Sequence, residues 1–261
     1  MEICTLASGS SGNCAFVSSG GTSILVDAGI SMRRINSCLG TFGLTLRGIS
    51  AILITHEHSD HISALRMINK YYGIPIFATA PTADAIARMY PELSGAVFSF
   101  EPGAVLDIGG LKAASFPTPH DAASSVGYRI SDGSKSLVIA TDMGYVTNSI
   151  YRASVGADFA VIESNHDVDM LNSGIYPYYL KRRILSENGH LSNSDCARLI
   201  TALAKTGTRH FLLAHLSREN NTPETAYKTV EEALAKENII IGKNVFLDVA
   251  PADEMTARYI L

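Results

Sequence analysis

One stretch of the sequence decides the fold and the site that we expect: AILITHEHSDH, residues 51–61. An apolar run of strand character ends at Thr55, and four potential metal ligands follow within six residues. Because alternate residues of an extended or turning backbone share a face, His56 and His58 can hold one ion together. Asp60 and His61 then face a second position beside it. So many ionisable groups need partners that offset their desolvation, and a pair of divalent ions supplies them.

Three later segments place a potential ligand directly after an apolar strand. They are PTPHD at residues 117–121, IATDMG at residues 139–144 and LLAHLS at residues 212–217. A lone H-x-H pair is more often part of a solvated surface loop. The full string with three such partners is much more specific. It predicts a site of nitrogen and oxygen ligands without thiolate, which suits Zn²⁺ or Mn²⁺.

Composition limits the classes of protein that the sequence can encode. The 261 residues include 21 Lys and Arg against 25 Asp and Glu, a formal charge of −4, with 46% hydrophobic and 18% charged residues. Such a chain can bury a large core and is not disordered. Because a protein that coats nucleic acid is basic, the acidic total confines any phosphate binding to local positive charge.

The sequence has no apolar run long enough to span a membrane, and no basic segment precedes an apolar run at its start. We therefore expect a cytoplasmic protein without a membrane partner. Its four cysteines form no C-x-x-C pair and suit small buried side chains rather than metal ligands. They are Cys4, Cys14, Cys38 and Cys196.

Short strand-like runs alternate with helical patterns along the whole chain. The predicted strands are Ile3–Leu6, Ala15–Ser18, Ser23–Val26, Ala51–Ile54, Val105–Ile108, Leu111–Phe116, Gly127–Ile130, Leu137–Ala140, Phe159–Glu163, Phe211–Ala214 and Val245–Val249. Helices are predicted to begin at Pro81, at Pro177, and after Ser192 or Ser194. A further helix is predicted to begin at Ser59 or Asp60 and to continue through Ile62, Leu65 and Ile68, which follow the 3.6-residue period. With no internal repeat or linker, the pattern predicts one α/β domain over residues 1–261, layered around two sheets.

The ligand pattern resembles that of the metallo-β-lactamase superfamily, and within it the nuclease and phosphodiesterase branch. This resemblance implies a four-layer αββα sandwich of two mixed β-sheets flanked by helices. It also implies a site for two ions, with these ligands: His56, His58 and His120 on the first, Asp60, His61 and His215 on the second, and Asp142 bridging both. His58 stands where the diiron oxygen-reducing relatives carry Glu, which argues against a redox role. Asp60 is also expected to be catalytic.

Two ions roughly 3.5–4 Å apart can share a hydroxide and stabilise both oxygens of an in-line displacement at phosphorus. Two further motifs, ESNHD at residues 163–167 and GHLS at residues 189–192, resemble the motifs of tRNA-maturing and related nucleases. By that resemblance Glu163 orients His190, and His190 protonates the leaving oxygen or holds a phosphate oxygen. The remaining histidines, His166 and His210, are predicted to be structural.

Nearly the whole chain resembles the YycJ/WalJ family of bacterial exonucleases. The matching segments are LASGSSGNC (6–14), HEHSDH (56–61), PTPHD (117–121), ESNHD (163–167), YPYYLKRRIL (176–185) and HLSRENNTP (215–223). The resemblance implies 5′-to-3′ degradation of DNA and a link to mismatch repair. Residues 8–13 are interpreted as a tight turn with some substrate contact, although a phosphate-binding backbone nest is the alternative.

A basic segment just before His190 supports a nucleic-acid substrate. Lys181, Arg182 and Arg183 follow a tyrosine-rich stretch, and on a helix they face mostly outward, where they can pair with phosphates while a tyrosine stacks on a base. Taken alone, such a run is as often a solvated helix face. The leading hypothesis is a DNA exonuclease with two divalent ions. An RNA nuclease, a cyclic-nucleotide type of phosphodiesterase and a non-catalytic metal-binding protein stay open, and so does the oligomeric state.

Overall fold

Apolar runs separated by tight turns form fourteen β-strands in a computed structural model that describes residues 1–261. In chain order, β1 to β14 are Glu2–Ala7, Cys14–Ser19, Thr22–Val26, Ala51–Leu53, Ile76–Thr79, Val97–Phe100, Val105–Ile108, Leu111–Pro117, Val126–Ser131, Ser136–Ala140, Phe159–Glu163, His210–Ala214, Phe246–Val249 and Tyr259–Ile260. They form two sheets of seven strands, in the orders β14-β1-β2-β3-β4-β5-β6 and β13-β12-β11-β10-β9-β8-β7.

Both sheets are mixed. In the first sheet, β14 to β3 pair antiparallel and β3 to β6 pair parallel. In the second sheet, β7 to β10 pair antiparallel and β10 to β13 pair parallel. Because the carboxyl ends of parallel strands lie along one edge of a sheet, loops that follow β4, β10, β11 and β12 can present side chains to a common cleft.

Nine α-helices complete the fold. In chain order, α1 to α9 are Met32–Gly40, Ser59–Ile62, Leu65–Tyr72, Ala80–Met89, Asn148–Ser154, Val168–Ser173, Tyr178–Ile184, Asn193–Lys205 and Pro223–Lys236, and short 3₁₀ turns lie at Leu46–Gly48 and Pro91–Leu93. The predicted cap of α8 is correct, since the Ser192 hydroxyl accepts a hydrogen bond from the backbone of Asp195.

Three buried apolar clusters explain the layering. One lies between the sheets and joins residues such as Val17 and Leu53 of the first sheet to Tyr128 and Leu212 of the second. Another packs α1, α3 and α4 on the outer face of the first sheet, and the last packs α5, α8 and α9 on the second. Three cores between four layers make an αββα sandwich, so the predicted fold class is confirmed.

The structure contains every predicted strand and adds three short ones, β5, β6 and β14. The expectation that Ser59 or Asp60 caps one continuous helix was wrong. The helix breaks after Ile62, and its N-cap residue, His58, makes no side-chain capping bond. The break has a physical cause, because the Asp60 carbonyl accepts a hydrogen bond from Asn13 while the Ala64 amide donates to Ala28. Tertiary bonds thus replace the helical one.

None of these helices combines the length and the apolar character that a membrane crossing requires.

Candidate active site

Two groups of imidazole and carboxylate side chains lie side by side where the two sheets meet. The first cluster is His56, His58 and His120, and the second cluster is Asp60, His61 and His215. Within each cluster, one potential ligand atom per residue lies within 4.8 Å of the others. The segment after β4, which runs into α2, supplies four of these residues, and the loops after β8 and β12 supply His120 and His215. The fold therefore brings the two predicted sets of three ligand residues close together.

Asp142 lies between the two clusters. Its Oδ2 atom is 3.5 Å from His61 Nε2, and its Oδ1 atom is 3.8 Å from His120 Nε2. Its backbone adopts a φ of 57°, a left-handed conformation that costs a side-chain-bearing residue energy. Asp27 and His215 share that conformation, so three of the four non-glycine residues with positive φ are at the site. Strain of this kind concentrates at functional sites.

Asp27 is a site residue that the sequence interpretation missed. It follows β3 directly, and its Oδ2 atom lies 2.8 Å from His61 Nδ1. The same carboxylate accepts hydrogen bonds from the amide and the hydroxyl of Thr55, at 2.8 and 2.9 Å. Asp27 therefore fixes the imidazole of His61 and the start of the ligand loop. The sequence contained a signal that could have identified Asp27: it is a carboxylate directly after an apolar strand, the same pattern that pointed to Asp142.

Other ligand histidines are also fixed through Nδ1, which turns Nε2 toward the centre. His56 Nδ1 lies 3.1 Å from the Thr55 hydroxyl, and His120 Nδ1 lies 3.0 Å from the Gly189 carbonyl. Buried atoms without a protein hydrogen-bond partner include His56 Nε2, His215 Nε2 and Asp142 Oδ2. These unpaired nitrogen and oxygen atoms converge on one region, and the Nδ1 nitrogens of the same imidazoles are already hydrogen-bonded. Such an arrangement is suited to the binding of divalent metal ions.

Glu163 lies beside these clusters and accepts four hydrogen bonds. Its side chain is fully buried, and Oε1 accepts from His190 Nδ1 at 2.8 Å and from His215 Nδ1 at 2.9 Å. Its Oε2 accepts from the backbone amides of Met143 and Leu191, at 2.9 and 3.2 Å. Burial acts to raise the pKa of Glu163, but the charge and hydrogen bond of His190 and the bond from His215 hold it at about 2. Glu163 thus stays ionised and orients both imidazoles.

The pKa values of the carboxylates and imidazoles in the clusters depend strongly on one another. Burial acts to raise the pKa of Asp142, yet the surrounding imidazoles hold it well below its usual value. Burial lowers the pKa of His56 well below 6.5, whereas at His61 the charges of Asp27 and Asp142 outweigh burial and raise the pKa well above 6.5. Metal-bound imidazole is neutral, so divalent ions bound here would displace protons from these rings.

The turn at residues 8–13 supports the ligands. It connects β1 to β2, and the Ser8 hydroxyl accepts a hydrogen bond of 2.9 Å from the His215 amide. Asn13 Nδ2 lies 3.3 Å from Asp60 Oδ2 and 3.0 Å from His61 Nε2. The predicted turn is present, and its polar side chains orient residues of the second cluster.

The predicted basic surface divides into three different environments. Lys181 donates to the carbonyls of Asn172 and Gly174, each at 2.7 Å, and so closes the end of α6. Arg182 is exposed and lies over the Tyr178 ring, 5.9 Å from its centroid. Arg183 pairs with the carboxylate of Asp121. Substrate contact by these residues stays a prediction. The two arginines are the better candidates, because the Lys181 ammonium is already bonded to two carbonyls.

The two remaining histidines differ in their surroundings. His210 stacks between Phe159 and Phe246, with ring centroids 6.1 and 4.8 Å away, as a structural residue would. His166 is 1% exposed, and neither ring nitrogen has a hydrogen-bond partner. Burial lowers its pKa to about 4, so its ring is neutral at physiological pH.

Comparison with known proteins agrees with this geometry. The family model "Beta-lactamase superfamily domain" matches residues 22–216. Exodeoxyribonuclease YycJ of Bacillus anthracis is 36% identical over 244 residues, covering 93% of this chain and 92% of the relative. Exodeoxyribonuclease WalJ of Streptococcus pneumoniae is 39% identical over 242 residues, covering 91% and 89%. The fold matches the metallo-β-lactamase fold protein YhfI from Bacillus subtilis with a TM-score of 0.71, at 19% identity over 98% of both chains.

Fold, clustered ligands and family match together define a hydrolase of the metallo-β-lactamase superfamily. Within that superfamily, the chain belongs to the family of the YycJ and WalJ proteins. The resemblance stated from the sequence motifs is thereby confirmed.

Proposed function

We propose that this protein is a DNA exonuclease that uses two divalent ions, Zn²⁺ or Mn²⁺, and degrades DNA in the 5′-to-3′ direction. The observation that carries the proposal is the position of Asp142 between two three-residue clusters, with the Glu163–His190 pair beside them. The names of the two relatives support DNA as the polymer. Direction and a role in DNA repair rest on the family resemblance, and a cytoplasmic location is the expectation stated from the sequence.

The proposed ligands divide as the clusters do. His56, His58 and His120 would hold one ion, Asp60, His61 and His215 the other, and Asp142 both. Bound there, two divalent ions would supply a water nucleophile of lowered pKa and stabilise charge on the phosphoryl oxygens. The ions would also reverse the local negative charge of Asp60 and Asp142, so the cleft would attract an anionic phosphodiester although the whole chain is acidic.

His190 is proposed as the proton donor to the leaving oxygen. Its side chain is 16% exposed, whereas that of Glu163 is fully buried, so the imidazole borders the cleft while its partner does not. Since Glu163 accepts from Nδ1, the free Nε2 nitrogen can face the substrate. Expulsion of an alkoxide needs such a proton, and general acid catalysis typically contributes about 10²–10⁴-fold.

The proposal also covers the organisation of the chain. Residues 1–261 act as one domain, because the core between the sheets takes its side chains from both halves of the sequence. Neither sheet can bury its inner face without the other.

End-labelled duplex DNA tests the function. With Mn²⁺ or Zn²⁺, the unaltered protein should release nucleotides progressively from the 5′ end, and Asp60→Ala and His61→Ala should abolish that release. Glu163→Gln should lower kcat by about a hundredfold and alter its pH profile, because His190 loses its oriented tautomer. Asp84→Asn, an exposed substitution on α4, is the control for a lost carboxylate.

No release of nucleotides with any divalent ion, or release that Asp60→Ala leaves unchanged, would overturn the proposal. A matched RNA strand and a small cyclic phosphodiester belong in the same experiment. Faster turnover of either one would assign the site to the corresponding alternative substrate.

A further inference from the structure

The carboxylate that follows His120 has no assigned role, yet it makes a specific contact. Asp121 Oδ2 accepts from Arg183 Nε at 2.5 Å, and Oδ1 accepts from Arg183 Nη2 at 3.0 Å. Two parallel bonds of this kind fix the plane of a guanidinium as well as its position. A residue beside a ligand of the first cluster therefore determines where a side chain of α7 points.

The contact places the guanidinium at the edge of the first cluster. Asp121 Oδ1 is also 3.4 Å from His120 Nε2, the nitrogen turned toward the centre. With Nη2 3.0 Å from the same oxygen, the guanidinium nitrogen lies no more than 6.4 Å from His120 Nε2. The hydrogen bond to Asp121, and at longer range the charge of Asp60, raise the pKa of Arg183, which agrees with a position close to the centre.

Arg183 keeps donors available for a substrate. An arginine carries five N–H groups, and the fork to Asp121 uses two of them. The side chain is 49% exposed, so the others are accessible to a molecule from solvent. Lys181 is already committed to the carbonyls at the end of α6. Within the basic triplet, Arg183 is thus the cation with a demonstrated contact to the ligand loops.

Asp121 also connects the segment that carries His120 to the segment that carries the proposed proton donor, His190. The Asp121 amide donates to the Asn188 carbonyl at 3.1 Å, and His120 Nδ1 bonds to the neighbouring Gly189 carbonyl. Both bonds fix the backbone directly before His190. The Asp121 side chain extends this connection to α7, so that Arg183 and His190 border the cleft from one rigid unit.

We propose that Asp121 is a positioning residue that holds the Arg183 guanidinium over the first cluster, where Arg183 binds a phosphate oxygen of the DNA strand. This inference rests on the proposed function. Guanidinium is suited to the role because its planar N–H groups match phosphate oxygens. Ordering the side chain before the substrate arrives removes part of the entropic cost of binding.

Steady-state kinetics on 5′-phosphorylated duplex with Mn²⁺ test the coupling. Arg183→Ala and Asp121→Ala should each lower kcat/KM by about 10- to 100-fold, the range for a hydrogen bond to a charged group. The double variant should be no slower than Arg183→Ala alone, since Asp121 acts through Arg183. Asp121→Asn should lower kcat/KM less than Asp121→Ala does, because the amide oxygen can still accept one hydrogen bond from Arg183. Bound metal should stay at the level of the unaltered protein in every variant.

Equilibrium binding of the same DNA provides a second readout that does not require cleavage. The slope of log K against log salt should become shallower by about 0.9 in Arg183→Ala, because one phosphate contact is lost. The matched control is Lys135→Ala. It removes an equally exposed, carboxylate-paired cation before the start of β10, at the opposite end of the strand from Asp142, and should leave the slope unchanged.

Three results would overturn the inference: additive losses in the double variant, loss of bound metal in Asp121→Ala, or a salt slope that Arg183→Ala does not change. Additive losses or lost metal would mean that Asp121 acts on the His120 loop itself. Failure of the unaltered protein to degrade DNA contradicts the proposed function instead, and the salt slope still decides whether Arg183 contacts phosphate.

Discussion

The two sheets build their parts of the site in opposite ways. The first sheet delivers four potential ligands from one short segment after β4, residues 56–61, which runs into α2. The second sheet delivers His120, Asp142, Glu163 and His215 from the ends of four different strands, spread over nearly a hundred residues of sequence. The first arrangement is local and is visible as a motif. The second exists only because neighbouring strands bring their carboxyl ends to one edge.

The comparison extends to the supporting residues. The ligand segment of the first sheet is supported by Asp27 after β3 and by Asn13 at the β1–β2 turn, and the Val126 amide of the second sheet donates to the Thr55 carbonyl before it. The second sheet instead concentrates support on one residue, Glu163, which bonds two imidazoles and two backbone amides. Loss of one residue should therefore have more widespread consequences in the second sheet than in the first.

Substitution at Asp142 should have the largest effect, because this carboxylate alone approaches both clusters. We expect Asp142→Asn to lower kcat/KM by more than about a thousandfold, beyond the roughly 10–100-fold cost of losing an outer partner, and to reduce the number of bound ions. Asn tolerates the left-handed backbone, so the fold should survive. Metal analysis with kinetics is the measurement, and full metal content with normal activity would remove Asp142 from the site.

Asp27→Asn should have an intermediate effect that is confined to the support of His61. Metal affinity should fall about 10- to 100-fold, and excess metal should restore much of the activity because the ligands themselves remain. Titration of the metal-free variant with Zn²⁺ or Mn²⁺ measures this, with Asp84→Asn as the control. A variant as inactive at saturating metal as Asp142→Asn would show that support in the first sheet is as critical as the bridging residue.

His166→Leu should have the smallest effect, limited to the pH dependence of stability. The folded protein binds a proton on this ring only near pH 4, whereas the unfolded chain does so near 6.5. The neutral ring therefore favours folding above pH 6.5, and that contribution is lost as the pH falls from 6.5 to 4. Between pH 7 and pH 5, the unaltered protein should lose about 2 kcal/mol more stability than the variant.

Denaturant unfolding of both metal-free proteins at the two pH values measures this difference. Metal-free samples are essential, because protonation of the ligand histidines then affects both proteins alike. Equal losses in the two proteins would show that His166 takes up its proton at a similar pH in the folded and unfolded states.

The sequence singled out candidate ligand residues but not the residues that support them. His56, His58, Asp60 and His61 share one motif, whereas Asp27 and Asp121 are ordinary carboxylates until the fold places them beside an imidazole or a guanidinium. The basic triplet shows the same limit. Three consecutive cations look equivalent in the sequence, but helix α7 turns Lys181 toward α6 and Arg183 toward Asp121, because successive residues of a helix point in different directions.

By itself, the sequence determined the layered α/β fold, the positions of eleven of the fourteen strands and the types of residue available to hold metal ions, since apolar periodicity and short motifs are local properties of the chain. Tertiary structure alone decided which residues meet. The pairing of β10, β11 and β12 brings Asp142, Glu163 and His215 together, and a bond between Asn13 and Asp60 interrupts the helix that the local pattern predicts. These contacts join residues distant in sequence, and only the packing of the two sheets specifies them.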